Sequence, residues 1–236
     1  MTFSKRALAA ALLAAGAFAT HAQEATIRKN LGERVPQLAK IDEISKTAMQ
    51  GLYEVRVGND LFYTDAEGNF LIQGNLIDTK GQRNLTEERM EKLLAIDFAQ
   101  LPLKDSFTIV RGNGKRKIAV FEDPNCGYCK RFERDMQKID NVTVYMFLYP
   151  ILGPNSTEKT RDIWCSKDKA KAWLDHMLKD VDAPSAKCDT AAITRNLDFG
   201  RKFKITGTPT LVFADGTRVP GAIPAAQVEK FLSEPK

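Results

Sequence analysis

The chain has 236 residues, 35 Lys+Arg against 30 Asp+Glu, a formal net charge of +5 and 43% hydrophobic residues. So mild a balance, with no basic run interleaved with aromatics, argues against a nucleic-acid-binding surface, and the length suits one or two domains. All four cysteines, Cys126, Cys129, Cys165 and Cys188, fall in the second half, so any thiol chemistry belongs there.

Lys5 and Arg6 precede an unbroken small and apolar stretch, Ala7 to Ala19, and Thr20-His21-Ala22 follows. Charge, then apolar run, then small residues is the order of a secretory signal, and cleavage is expected after Ala22. A membrane anchor is the alternative, but crossing about 30 Å of hydrocarbon takes about 20 apolar residues, and polar Gln23-Glu24 ends this run. Export also places the cysteines in an oxidising compartment, where an even count favours disulfides. Three pairings are possible on paper.

From Ala25 to about Leu38, Ile27, Leu31 and Val35 recur at helical spacing, and Pro36 weakens the end. Ile41–Lys46, Leu52–Val57, Leu61–Thr64 and Phe70–Gln73 then read as short strands. The turn residues Gly51, Gly58-Asn59-Asp60, Glu67-Gly68-Asn69 and Gly74-Asn75 separate them. This unit of about 60 residues is near the size at which a domain buries too little surface alone. It is expected to pack on the rest of the chain or on a copy of itself.

Lys80–Asn84 is polar and marks a boundary. Asn84 and Thr86 are good N-caps, Glu87 and Glu88 suit a first turn, and Met90, Leu93, Leu94 and Phe98 form an apolar face. The pattern predicts a helix to about Gln100, stopped by Pro102, of about 22 Å at about 1.5 Å per residue. Beyond it, Phe107–Val110 and Ile118–Phe121 read as strands around the turn Gly112-Asn113-Gly114. A helix bearing Phe132, Met136 and Ile139 leads to a strand at Val142–Leu148, completing a βαβ unit.

Helices are predicted near Thr157–Ser166, Lys167–Lys179 and Thr190–Phe203. Ala214-Asp215-Gly216 signals a hairpin between Thr210–Phe213 and Thr217–Val219, and a last helix starts near Pro224.

Cys126 and Cys129 sit where a strand gives way to a helix. Disulfide exchange needs an ionised, accessible thiol and a second thiol to resolve the mixed disulfide. A helix N-terminus favours the charged sulfur of Cys126, and a spacing of three brings Cys129 to the same face. Gly127 leaves the attacking sulfur uncrowded, and Lys130 and Arg131 add exposed positive charge. A zinc site would need Cys165 and Cys188 as a second ligand pair, but they are 23 positions apart rather than at the usual short spacing. A purely structural 126–129 disulfide gains little from so tight a loop. Gly207-Thr208-Pro209-Thr210 precedes a strand, and a cis Thr208–Pro209 peptide would turn the Thr208 backbone toward the cysteines. Cis is found at only about 5–6% of X-Pro bonds, so the tetrapeptide alone does not establish it. His176, on the helix with Trp173 and Met177, has no sequence feature pairing it with a cysteine, so a solvated position is expected.

Together these features resemble the DsbC/DsbG family of thioredoxin-like periplasmic disulfide isomerases. The matching runs are Asp123-Pro-Asn-Cys-Gly-Tyr-Cys-Lys130, Ile163-Trp-Cys-Ser-Lys-Asp-Lys169, Gly207-Thr-Pro-Thr210, Asp215-Gly-Thr and Val219-Pro-Gly221. Gly127, Cys165 and Cys188 favour the DsbC branch. The resemblance implies an α+β chain in four parts. These are a signal peptide (1–22), a small cystatin-like sheet-plus-helix dimerisation domain (23–83), a linker helix (84–102) and a thioredoxin-like catalytic domain with a helical insertion (103–236).

It further implies a V-shaped homodimer in the periplasm, acting on mis-paired exported proteins with some chaperone activity, and kept reduced by the membrane reductase DsbD. In its terms Cys126 is the nucleophile and Cys129 the resolving thiol. Gly127, Tyr128, Thr208 and Pro209 line the substrate site, and Cys165–Cys188 is a structural bridge. Neither metal nor cofactor is implied. One departure is that Val120 stands where thioredoxin itself has a buried acid, six residues before the first cysteine. Glu122 lies nearby with no proton-transfer role assigned to it.

Overall fold

The computed structural model describes residues 22–233, and the expected signal sequence lies outside them except for Ala22. The chain divides into two compact units between Leu93 and Leu94.

In the first unit, helix α1 (residues 22–34) turns Ile27 and Leu31 inward. The helix ends sooner than its apolar spacing suggests, because Pro36 opens a separate 3-10 turn, Pro36–Leu38. Strands β1 (Glu43–Lys46), β2 (Tyr53–Val57), β3 (Asp60–Thr64) and β4 (Leu71–Ile72) form an antiparallel sheet in that order. Alternation places Tyr53 and Val55 inward, where they meet Ile27, Leu31, Leu38 and Ile41.

The polar stretch read as a boundary is itself ordered into a small ladder, β5 (Ile77–Asp78) with β6 (Arg83–Asn84). Asp78 Oδ1 accepts from the N–H groups of Lys80 and Gly81 at its tip, a local side-chain turn that polarity alone does not reveal.

Helix α2 (Leu85–Leu94) has ten residues and does not reach Gln100. At about 1.5 Å per residue it spans about 15 Å rather than 22 Å. Ile96 ends it: this side chain is completely buried in the second unit's core, and its N–H donates to the Gly216 carbonyl. Asp97, extended in ψ, then caps a 3-10 turn, Phe98–Gln100, through the Ala99 N–H.

The second unit is a five-stranded sheet in the order β11-β10-β8-β9-β7. Its strands are β7 (Phe107–Arg111), β8 (Arg116–Glu122), β9 (Val142–Leu148), β10 (Thr210–Phe213) and β11 (Arg218–Pro220). β8 and β9 are parallel and joined through α3 (Gly127–Met136), while β7, β10 and β11 pair antiparallel with their neighbours. The Gly112-Asn113-Gly114 turn is therefore no hairpin, since β9 runs between the two strands it connects. Asn141 holds the turn from the side: its Oδ1 accepts from Asn113 N–H, and its carbonyl from Arg116 N–H.

Both faces of this sheet are covered, which is why β8 reads as a continuous apolar run. Ile118 and Val120 face one core with Phe132 and Met136 of α3, Trp173 and Met177 of α5 (Lys169–Lys179), and Val228 of α7 (Ala225–Ser233). Ala119 and Phe121 face the other core with Ile96, Phe147, Tyr149 and Ile205, next to α6 (Ala191–Lys202). By the same alternation Glu122 falls on the α3 side. Helix α4 (Pro154–Trp164) and α5 form the insertion between β9 and α6.

Cys165, which caps the end of α4, is bonded to Cys188. Arg195 on α6 makes a two-pronged ion pair with Asp105, whose carboxylate is 1% exposed.

Candidate active site

Strand β8 is buried between two helical layers, so the chain leaving its end must turn sharply before α3 can cover the sheet. That turn is Asp123-Pro124-Asn125-Cys126. The Asp123 carboxylate organises it, accepting from Asn125 N–H at 2.8 Å, Ile151 N–H at 2.8 Å, Leu152 N–H at 3.0 Å and Ser156 Oγ at 2.7 Å. Asp123 and Ser156 are both fully buried. Sequence spacing gave no reason to single out Ser156, which meets Asp123 only through the fold.

Cys126 is the N-cap of α3, and its sulfur accepts from the Cys129 N–H at 3.3 Å. The Thr208–Pro209 peptide is cis, and the Thr208 carbonyl lies 3.2 Å from Cys126 Sγ. These contacts leave Cys126 only 6% exposed, more enclosed than a freely presented nucleophile. Its pKa is lowered from 9.0 to about 6. The Cys129 side chain contributes most, and together with hydrogen bonds from the Thr208 side chain and from the Cys129 and Tyr128 backbone N–H groups it outweighs the opposing effect of burial. Cys129 is completely buried, and desolvation pushes its thiol far up. One turn of helix thus holds an ionised sulfur above a protonated one.

Around them, a side chain added at Gly127 would meet nothing of this protein within 4 Å. The openness there faces outward, and internal packing does not demand glycine. Tyr128 is exposed, with the Arg131 guanidinium 5.1 Å from its ring centre. Lys130 pairs with Asp180. Both cations therefore have partners of their own.

Beneath Cys129 lies a buried carboxyl pair. Glu122 is 0% exposed, with the Glu133 carboxyl and the Cys129 thiol as the polar side chains beside its own. Desolvation first, then the charge of nearby Glu133, raises its pKa well above the ordinary carboxyl range. Glu133 on α3 is better provided for: Trp173 Nε1 donates to its Oε1 at 2.8 Å, and the Arg111 guanidinium lies 4.0 Å from its Oε2. Two carboxylates this close in an apolar core do not both ionise, so Glu122 carries the proton. Arg111, Glu133 and Trp173 come from three elements far apart in sequence, which explains why no local pattern marked them.

His176 corrects a sequence expectation. It is 2% exposed and not solvated, with Nδ1 2.8 Å from Asp182 Oδ1 and Nε2 2.8 Å from the Pro124 carbonyl. Its position beside Trp173 and Met177 on the inward face of α5 was the available signal. Among the described residues no cluster of His, Cys, Asp and Glu is arranged to hold a metal ion, and Cys165 and Cys188 are bonded to each other away from the CxxC pair.

A sheet of this order, with a CxxC pair opening the helix after the central parallel strand and a cis-proline loop against it, defines a thioredoxin-like protein. A family model described as a thioredoxin-like domain matches residues 103–235, and one described as the disulfide bond isomerase protein N-terminal domain matches residues 18–87. The thiol:disulfide interchange protein DsbC of Escherichia coli is 30% identical over 230 residues, 94% of this chain and 93% of that protein. The probable thiol:disulfide interchange protein DsbC of Bordetella pertussis is 49% identical over 182 residues, 77% of this chain. That match spans 65% of the Bordetella protein, just under two thirds of its length. The crystal structure of a disulfide interchange protein from Neisseria gonorrhoeae superposes with a TM-score of 0.53 at 41% identity, covering 56% of this chain and 96% of that one. The chain belongs to the DsbC family.

Proposed function

We propose that this protein is a thiol–disulfide interchange enzyme that reshuffles non-native disulfides in exported proteins. The observation that carries the reading is the Cys126 sulfur held at the mouth of α3, with its pKa near 6, directly above a buried, protonated Cys129. The Cys126 thiolate attacks a substrate disulfide, one sulfur forming the mixed disulfide and the other leaving as a thiolate. A second substrate thiolate then attacks the mixed disulfide and releases Cys126 with the pairing corrected and no net redox change. Alternatively Cys129 attacks the Cys126 sulfur, so that the substrate leaves reduced and the pair is oxidised. A dithiol donor must then restore it, and by family resemblance this is the membrane reductase DsbD.

Gly127, Tyr128, Thr208 and Pro209 form the substrate contact surface, and the Cys165–Cys188 bridge is structural. The same reading places the protein in the periplasm after removal of residues 1–22. It works there as a homodimer joined through residues 23–83, with 84–102 as linker and 103–236 as the catalytic domain. Among the described residues no helix is long and apolar enough to cross a membrane.

Cys126→Ser is expected to abolish recovery of a scrambled, multi-disulfide substrate, and Cys129→Ser to accumulate mixed disulfides. A Cys126→Ser protein that still reshuffles bonds overturns the assignment. Trapping the 126–129 pair in cells separates isomerase from oxidase: mostly reduced supports isomerase, and mostly oxidised supports oxidase. Sizing residues 23–236 at micromolar concentration tests the dimer.

A further inference from the structure

The buried histidine has neighbours that constrain its charge. A neutral imidazole has one N–H donor and one lone pair, whereas here both ring nitrogens face acceptors at 2.8 Å, the Asp182 carboxylate and the Pro124 carbonyl. Only the doubly protonated ring donates to both. Asp182 is held below the ordinary carboxyl range, chiefly by Lys159 and further by His176, so it is an acceptor near neutral pH.

The other contact reaches the active-site turn. The peptide joining Pro124 to Asn125 is gripped at both ends, its oxygen by His176 Nε2 and its N–H by the Asp123 carboxylate. This peptide leads directly into Cys126, the N-cap, whose own N–H donates to the Asp123 carbonyl at 3.1 Å. Its orientation therefore helps set where the Cys126 sulfur sits relative to the donors of α3.

We propose that His176 is a positioning residue for Cys126: as an imidazolium bridging Asp182 and the Pro124 carbonyl, it holds the active-site turn in the geometry that favours the thiolate. This rests on the reading of Cys126 as nucleophile. A side chain unable to donate to both leaves one of the two acceptors unpaired and takes a positive charge from beneath the turn. The other charged groups facing this region are Lys159, Glu158 and Asp162 from α4, Lys130 and Arg134 from α3, and Asp180 after α5. Lys130 pairs with Asp180, and Lys159 with Asp182. The buried Asp123 completes the set from the turn itself.

The test uses reduced protein of residues 23–236, in which His176 is the single histidine. Nitrogen-15 spectra of the ring at pH 7 are expected to show both nitrogens protonated, and a neutral ring overturns the proposal. Cys126 alkylation is then followed against pH. In His176→Gln the ionisation midpoint is expected to rise by about half a unit, slowing alkylation below pH 6 about twofold, since about threefold less thiolate is partly offset by its higher basicity. Asp182→Asn, on the exposed side of the bridge, is expected to shift the midpoint in the same direction and serves if His176→Gln does not fold. A wild-type midpoint near 6 that neither substitution moves refutes the role of His176 alone. A wild-type midpoint near 9 removes the nucleophile, and the proposed function with it.

Discussion

Cys129→Ala is the substitution that most directly probes the site, because the Cys129 side chain is the largest contributor to the low pKa of Cys126. At pH 7 a thiol with a pKa of about 6 is about nine-tenths ionised, whereas one at 9.0 is about 1% ionised. That is a gain of about 90-fold in thiolate. Nucleophilicity falls with basicity, however, with a Brønsted slope of about 0.4–0.5, so three units cost roughly 15- to 30-fold in intrinsic reactivity. The net advantage over an ordinary thiol at pH 7 is only about three- to sixfold. Absolute rate is therefore a poor diagnostic, and the shape of the pH profile is the useful one.

Alkylation of Cys126 by iodoacetamide should climb with a midpoint near pH 6 and be nearly flat above pH 7, where an ordinary thiol is still rising about tenfold per unit. In Cys129→Ala the midpoint should move up but stay below 9, since the Thr208 and backbone donors remain. The sign for stability follows from the same shift. A depressed thiol pKa stabilises the reduced fold above the unfolded value near 9, and this contribution disappears as pH falls through about 6. Relative to Cys126→Ser, reduced protein should thus be more resistant to urea at pH 9 than at pH 5. A wild-type profile that rises without a break to pH 9 would refute the reasoning about the α3 mouth.

Other substitutions test the scaffold around the site. Glu122 is raised well above 4.5, so the fold favours its neutral form; that stability is complete below about 4.5 and lost as pH rises through the folded value. Glu122→Gln should therefore raise the melting temperature at pH 8 more than at pH 4, and an equal shift at both would remove the carboxyl pair from the account. Arg195→Ala takes the two-pronged partner from the buried Asp105 carboxylate and should lower the urea midpoint, and an unchanged midpoint would mean that water replaces the guanidinium there. Substituting both Cys165 and Cys188 by Ser opens a closed loop and should cost roughly 3–3.5 kcal/mol on the chain-entropy argument. It should leave the Cys126 alkylation profile in place, and a shifted profile would mean that the bridge also shapes the site.

Much of this was legible in the linear chain, and the reasons are local. The alternation of Tyr53 with Val55, the helical spacing of Phe132 with Met136, and the Ala214-Asp215-Gly216 hairpin each rest on a period or a turn chemistry spanning few residues. The CxxC pair belongs to the same category, since its spacing and its place between a strand and a helix put one sulfur at the mouth of α3 and the other one turn inside. Where local patterns misled, a distant partner had intervened. The apolar face after Leu94 looked helical until the core of the second unit took Ile96.

What the sequence by itself determined was the class of the fold, the CxxC pair at a strand-to-helix turn and the Thr208–Pro209 segment that approaches it. Tertiary structure alone decided the setting in which those sulfurs work. Burial holds Cys129 protonated and Glu122 neutral, and Arg111, Glu133 and Trp173 converge from three separate elements. His176, read as solvated, is instead clamped between a carboxylate and the active-site turn. The physical reason is common to all three: desolvation and charge depend on which atoms surround a group in space, and partners such as Trp173 for Glu133 and Pro124 for His176 come from other elements, 40 and 52 positions away.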